Sequence, residues 1–153
     1  MEQLYGNIYR NARRAAGLTQ ERWAEFLGIS VDSVRDYETG LRCPPDELLL
    51  QMADISGMKI LPYWHLSQKS RLGSEILPEV EEKRLPEAVL ALLVQLSDFR
   101  ENEMQELTRI AADGKISPEE RKIFQRCLGQ LQLLIRDAYA LGYAKEENDG
   151  EEG

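Results

Sequence analysis

The stretch Thr19-Gln-Glu-Arg-Trp-Ala-Glu-Phe-Leu-Gly-Ile-Ser-Val-Asp-Ser-Val-Arg-Asp-Tyr-Glu-Thr-Gly40 decides the N-terminal fold. Thr19 opens a helix with a hydroxyl acceptor, and Glu21 sits in its favourable first turn. Trp23, Ala24 and Leu27 share one face of that helix, and Gly28 stops it, because glycine takes the left-handed conformation without a Cβ penalty. Ser30 caps a second helix, with Asp32 in the first turn, Val34 and Tyr37 inward and Gly40 at the end. Two short helices cross steeply at such a turn only if a small residue sits at their contact, which Ala24 supplies, while Ile29 plugs the gap beneath. A helix held proud in this way can enter the roughly 12 Å major groove of DNA.

Working outward, Tyr5, Ile8, Tyr9, Ala12, Ala15 and Ala16 mark one face of a preceding helix that Gly17 ends. Pro44-Pro45 bars helix until Asp46, after which Leu48, Leu49, Met52, Ala53 and Ile55 define another that Gly57 stops. An aromatic helix from Leu61 to about Lys69 closes an expected five-helix domain over residues 1–70. Residues 71–84, polar and holding Gly73 and Pro78, read as a linker.

Leu85 to Ala112 then reads as one long helix, with Leu85, Val89, Leu92, Leu96 and Phe99 at 4-3-4-3 spacing. Asp113-Gly114 breaks it. Pro118 to about Gly142 repeats the spacing with Phe124, Leu128, Leu131, Ile135 and Ala138. The expectation is a two-helix antiparallel hairpin over residues 85–143, followed by an acidic disordered tail over 144–153. Leu90, Leu93, Val94, Leu107, Leu133 and Leu134 lie outside those seams, and that much apolar surface needs a further layer. A second copy of the hairpin supplies it, so the seam residues from Leu85 to Phe99 and from Phe124 to Ile135 are expected at a dimer interface. The competing arrangement packs the surface on the chain's own N-terminal domain. The fold class is all-α.

Composition narrows the function. The 153 residues carry a net charge of −8, but residues 1–72 hold 9 basic and 9 acidic side chains, so the whole excess lies in the acidic second part. A DNA-binding surface therefore belongs in the first half. The longest apolar run, Ala88 to Val94, is too short to cross a membrane, and the N-terminus lacks the pattern of a signal peptide. Cys43, Cys127 and the single His65 have no metal-ligand spacing, so neither metal nor cofactor is expected, and reduced thiols suit a cytoplasmic protein.

Residues 8–57 resemble the lambda-repressor/Cro type of helix-turn-helix, the XRE family. Arg13, Gly17, Leu18, Thr19, Gln20, Ala24, Leu27, Gly28, Ile29, Ser30, Val34, Tyr37, Glu38, Gly40 and Pro44 carry the resemblance at fixed spacing. Tyr37 to Asp46 and Ile110-Ala-Ala-Asp-Gly-Lys-Ile116 also resemble a bacterial subgroup, often on phage-like or mobile elements, in which a helical hairpin follows that domain. The resemblance implies a lambda-repressor-like domain in which Arg13 and Glu38 form a buried salt bridge. It places Thr19 and Gln20 against the phosphate backbone at a helix N-terminus, where anions are attracted.

Base readout falls to Ser30, Val31, Asp32, Ser33 and Asp36, with Ser30 also needed as a cap. Val31 suits a thymine methyl, and Asp32 or Asp36 suits cytosine N4. Arg35 and Arg42 lead the backbone candidates, ahead of Arg10, Arg14 and Arg22. Two aspartates on that face are repelled by phosphate unless each finds a donor; Asp32 can instead favour the helix dipole, and Asp36 can pair with Arg42.

Other signals are weaker. Asp113-Gly-Lys-Ile-Ser-Pro-Glu-Glu120 resembles half a calcium loop, but its first ligand positions are Arg109 and Ala111, and a capping box over Ser117 to Glu120 explains it. Trp64 and His65 read as glue for the last helix of the domain. No nucleophile–base pair, carboxylate pair or phosphate loop points to an enzyme. The expected function is a transcriptional regulator that binds a double-stranded palindromic operator as a homodimer, its effector unknown. The alternative is a protein-interaction module that has lost DNA and regulates another regulator through its hairpin.

Overall fold

The computed structural model describes residues 7–147. Helix is the only regular structure among the described residues, in nine segments, apart from one isolated parallel bridge between Arg84 and Lys145. The protein is all-α. It divides into two compact units between Leu77 and Pro78. Tyr5, expected at the start of the first helix, and the acidic tail beyond Glu147 lie outside the described residues.

The first unit holds α1 (Ile8–Ala15), α2 (Gln20–Leu27), α3 (Val31–Thr39), α4 (Asp46–Ser56), α5 (Leu61–Lys69) and α6 (Arg71–Ile76). Asn7 opens α1 by accepting from the backbone N–H groups of Tyr9 and Arg10, so two of the first turn's free donors are used. Ile8, Tyr9, Trp23, Met52, Ile60 and Leu61 are fully buried and form the core. Each such side chain contributes about 1.5–3 kcal/mol by leaving water. The buried Tyr9 hydroxyl meets His65 Nδ1 at 2.8 Å, which satisfies the polar end of the ring. Burial holds His65 below the usual imidazole range. Trp64 is buried on the same helix, so Trp64 and His65 both sit against the core.

The expected linker over residues 71–84 is corrected at both ends. Arg71 to Ile76 is helical, opened by Ser70, whose hydroxyl accepts from Gly73 N at 3.2 Å. Gly73 explains the packing: a Cβ there would overlap the backbone carbonyl of Leu66 on α5. The glycine allows close approach of α6 to α5 and is no mark of a flexible joint. From Pro78 onward the chain is part of the second unit. Val80 is buried, Lys145 N donates to Lys83 O at 3.0 Å, and Leu85 N donates to Lys145 O at 2.9 Å. Lys145 Nζ also pairs with Glu82 at 2.6 Å, so residues 144–147 are tied to residues 82–85 instead of starting a free tail.

The second unit holds α7 (Leu85–Asn102), α8 (Met104–Ala111) and α9 (Arg121–Gly142). The helix expected over Leu85–Ala112 is interrupted at Glu103 (φ −111°). Its carboxylate turns inside, accepting from Arg126 Nε at 3.2 Å and from the Cys127 thiol at 3.0 Å. A buried carboxylate needs donors, and the break lets Glu103 reach two on α9. The turn before α9 is a reciprocal capping box: Ser117 N donates to Glu120 Oε2 at 2.9 Å, and Glu120 N donates to Ser117 Oγ at 3.2 Å.

The seam is also corrected. Ala88 and Cys127 are fully enclosed and Ala140 nearly so, together with Glu103 and Asp137. Leu85, Val89, Leu96 and Ile135 of the expected seam are exposed, while Leu92, Phe99, Phe124, Leu128 and Leu131 are half-buried. Small residues let the two helices approach closely, and the larger apolar side chains are left on the outer face of α7, where Leu90, Leu93 and Val94 are also exposed.

Candidate nucleic-acid interface

Local chemistry sets the angle between α2 and α3. Thr19 Oγ1 accepts from Arg22 N at 3.3 Å, so Thr19 acts first as the cap of α2. At the other end Gly28 is left-handed (φ 66°), with Gly28 N bonded to Glu25 O at 3.2 Å and Ile29 N to Ala24 O at 3.0 Å. That paired closure satisfies the last carbonyls of α2 and turns the chain sharply. Ser30 Oγ then accepts from Ser33 N at 3.1 Å and opens α3. Gly40 (φ 79°) ends α3 with the same closure, Leu41 N reaching Asp36 O at 2.9 Å.

Glu38, at the end of α3, ties the elements together. Its carboxylate takes Arg13 Nε at 2.5 Å and Arg13 Nη2 at 3.1 Å, while its side chain is only 2% exposed. Arg10 Nε lies 3.5 Å away. Gln20 Nε2 donates to the same carboxylate at 2.9 Å. The Gln20 amide nitrogen, expected at a phosphate, is thus engaged inside the domain. Arg13 also donates to Leu18 O at 2.9 Å, which holds the α1–α2 loop.

The outward side of α3 carries Val31, Asp32, Ser33, Arg35 and Asp36, of which Asp32 and Arg35 are the most open. Both aspartates are paired. Arg35 Nη1 donates to Asp32 Oδ1 at 3.0 Å, one helical turn along. Arg42 Nε sits 3.0 Å from Asp36 Oδ2, Arg42 Nη2 donates to Ser33 Oγ at 3.2 Å, and the guanidinium lies 5.7 Å from the Tyr37 ring centre.

The remaining basic candidates differ. Arg22 pairs with Glu25 at 2.6 Å and stacks on the exposed Phe26. Arg14, in the last turn of α1, is exposed and forms no ion pair within the distance of a salt bridge among the described residues. Nearly every arginine of α1–α3 and the following turn is therefore matched to a carboxylate, a feature the sequence reading missed for Arg22 and Arg35. The i,i+3 spacings Arg22–Glu25 and Asp32–Arg35 carried that signal. The Arg42–Asp36 pair depends on the Gly40 turn.

Residues 9–59 match the family model of a helix-turn-helix domain. The match covers about a third of the 153 residues and spans all of α2, α3 and α4. Neither the curated proteins nor the solved structures gave a match to the chain. In the helix-turn-helix domain α3 is the second helix of the pair, so Val31, Asp32 and Ser33 stand in its first turn with Asp36 one turn further on. No helix among the described residues is long and apolar enough to cross a membrane.

Proposed function

We propose that this protein is a sequence-specific DNA-binding transcriptional regulator of the lambda-repressor/Cro (XRE) type, a cytoplasmic binding protein without enzymatic activity. The observation that carries the reading is the α2–turn–α3 pair, closed at Gly28 and capped at Ser30, inside a segment matched as a helix-turn-helix domain. With α3 in the major groove, the first-turn residues Val31, Asp32 and Ser33 meet base edges. Arg14, Arg35 and Arg42 are the cations available to phosphate.

The active species in this reading is a homodimer on a palindromic operator. One domain of this size makes few phosphate contacts, and two linked half-sites about 34 Å apart raise occupancy by effective concentration. The exposed apolar face of α7 supports a second copy of the hairpin as its partner. Leu90, Leu93 and Val94 stand on it at 64%, 57% and 50% exposure, and a stable dimer hides about 800 Å² on each side.

The paired acids on α3 favour a second reading, a module that has exchanged DNA for a protein partner. Binding of the full chain to duplexes from its own upstream region, and to duplexes selected from a random pool, separates the two. The regulator reading expects a saturable complex that weakens with salt and is lost in Arg35→Ala/Arg42→Ala. Failure to select any duplex, with the protein folded, overturns it.

A further inference from the structure

The ion pairs on α3 suggest how this domain separates its own site from bulk DNA. We infer that Asp32 and Asp36 are specificity determinants that suppress non-specific DNA binding by neutralising Arg35 and Arg42; this rests on the DNA-binding reading above.

The geometry is two adjacent compensated pairs on one helix and its exit turn. Arg35 lies 3.0 Å from Asp32, and Arg42 lies 3.0 Å from Asp36. Their side chains are largely in contact with water, apart from Asp36, which is 31% exposed. Exposed pairs of this kind are weak, so they do not lock the arginines away. What persists is the charge. Whenever an arginine swings to a phosphate, its aspartate stays on the groove face, within a Debye length of about 8 Å of the DNA backbone. Non-specific binding comes almost wholly from phosphate neutralisation, so a face whose cations carry their own anions gains little from arbitrary sequence.

A particular sequence changes that balance. A carboxylate in the major groove accepts from the N4 amino group of cytosine or the N6 amino group of adenine, whereas guanine N7 and O6 and thymine O4 offer only acceptors. Where a cytosine or adenine amino group stands opposite Asp32 or Asp36, the aspartate is satisfied and its arginine is released to phosphate. Elsewhere the aspartate faces acceptors or water and the repulsion is uncompensated. Discrimination thus comes from penalising wrong sites as well as from contacts to the right one. Asp36 has a second task, since with Ser33 and Tyr37 it holds Arg42 beside the groove before DNA arrives.

The test compares the full-length wild type with Asp32→Asn, Asp36→Asn and the double variant. Each is titrated with a fluorescent mixed-sequence duplex and with the duplex that the wild type itself selects, at about 50 mM and about 200 mM salt. Freeing two arginines steepens the salt dependence on mixed-sequence DNA by about 1.8 in log–log slope, about a tenfold larger loss over that salt range. The expected result is tighter mixed-sequence binding with that steeper slope, no gain on the selected duplex, and a collapsed ratio between the two. Adding Arg35→Ala/Arg42→Ala to the double variant returns the wild-type slope, and thermal melting confirms that each variant is folded. Unchanged mixed-sequence affinity and slope, with the wild type still preferring its selected duplex, overturns the inference alone. Equal weakening on both duplexes also overturns it, leaving the aspartates as supports of the helix. Absence of any selected duplex for the wild type overturns the DNA-binding reading itself.

Discussion

Gln20 and Glu38, 18 residues apart, are joined by a hydrogen bond of 2.9 Å from the side-chain amide to the carboxylate that also pairs with Arg13. Side chains from α1 and α2 therefore depend on one buried acid at the end of α3. Glu38→Ala leaves Arg13, itself only 14% exposed, without its partner, and a broken buried pair costs about 3–5 kcal/mol. Urea denaturation of the variant measures that loss directly. Glu38→Gln should lose less, because Gln20 keeps an acceptor.

The same carboxylate gives stability a pH dependence. Burial opposes its ionisation, but the hydrogen bonds from Arg13 and Gln20 and the arginine charges outweigh burial and hold Glu38 below the usual carboxylate range. A lowered folded pKa means that its stabilisation is complete above the unfolded value of about 4.3 and is lost as pH falls through the folded one. Thermal melts on the acid side should show the wild type losing its advantage over Glu38→Gln. A pH-independent difference between them contradicts this assignment.

Gly73→Ala tests the packing of α6. The added methyl meets the Leu66 carbonyl, which is backbone and cannot swing aside. Overpacking of this kind costs about 1–3 kcal/mol. The variant should exchange its α6 amides faster and melt earlier, whereas Ser74→Ala, at an exposed site, should do neither. Unaltered exchange in Gly73→Ala would show that α6 does not rest on α5.

How much of this was legible depends on whether the cause was local. Caps and stops are local, so Thr19, Gly28, Ser30 and Gly40 bound α2 and α3 where the sequence indicates. Gly73 carries the same letter as a hinge glycine, and only the approach of Leu66 distinguishes the two. The packing seam of the hairpin was hidden for another reason. The first half of α7 is apolar on nearly every side, so periodicity could not say which face turns inward. Close approach selected Ala88 and Cys127, and the polar Glu103 and Asp137 were carried inside with them. On α3 the pairing of Asp36 with Arg42 was visible, but the contact of Arg42 with Ser33 arises only from the Gly40 turn.

The two thiols should differ sharply in reactivity. Cys43 is exposed, whereas Cys127 is buried and donates to Glu103 Oε2 at 3.0 Å. Burial first, and then the Glu103 hydrogen bond and charge, push the Cys127 thiol up to about 11. Near pH 8 its thiolate fraction is then on the order of one in a thousand, and the thiolate is the reactive form. A thiol-disulfide reagent should titrate one cysteine in the native protein and two in denaturant. Glu103→Ala should bring Cys127 forward, and two equally fast thiols in the native wild type would contradict the burial.

The outer face of α7 makes a prediction separable from the stability of the hairpin. Leu93 and Val94 are exposed within a single chain, so Leu93→Glu and Val94→Glu should leave its helicity and urea midpoint nearly unchanged. If a second hairpin covers that face, each substitution buries an unpaired carboxylate, which costs about 3 kcal/mol or more and weakens the dimer on the order of 100-fold. Sedimentation should then find monomers at concentrations where the wild type is dimeric. Ala88→Leu is the opposite control. Ala88 is fully enclosed against its own hairpin, so the larger side chain should lower the unfolding midpoint by overpacking. A wild type that stays monomeric at high concentration, or a Leu93→Glu variant that still dimerises, would move the dimer contact off this face.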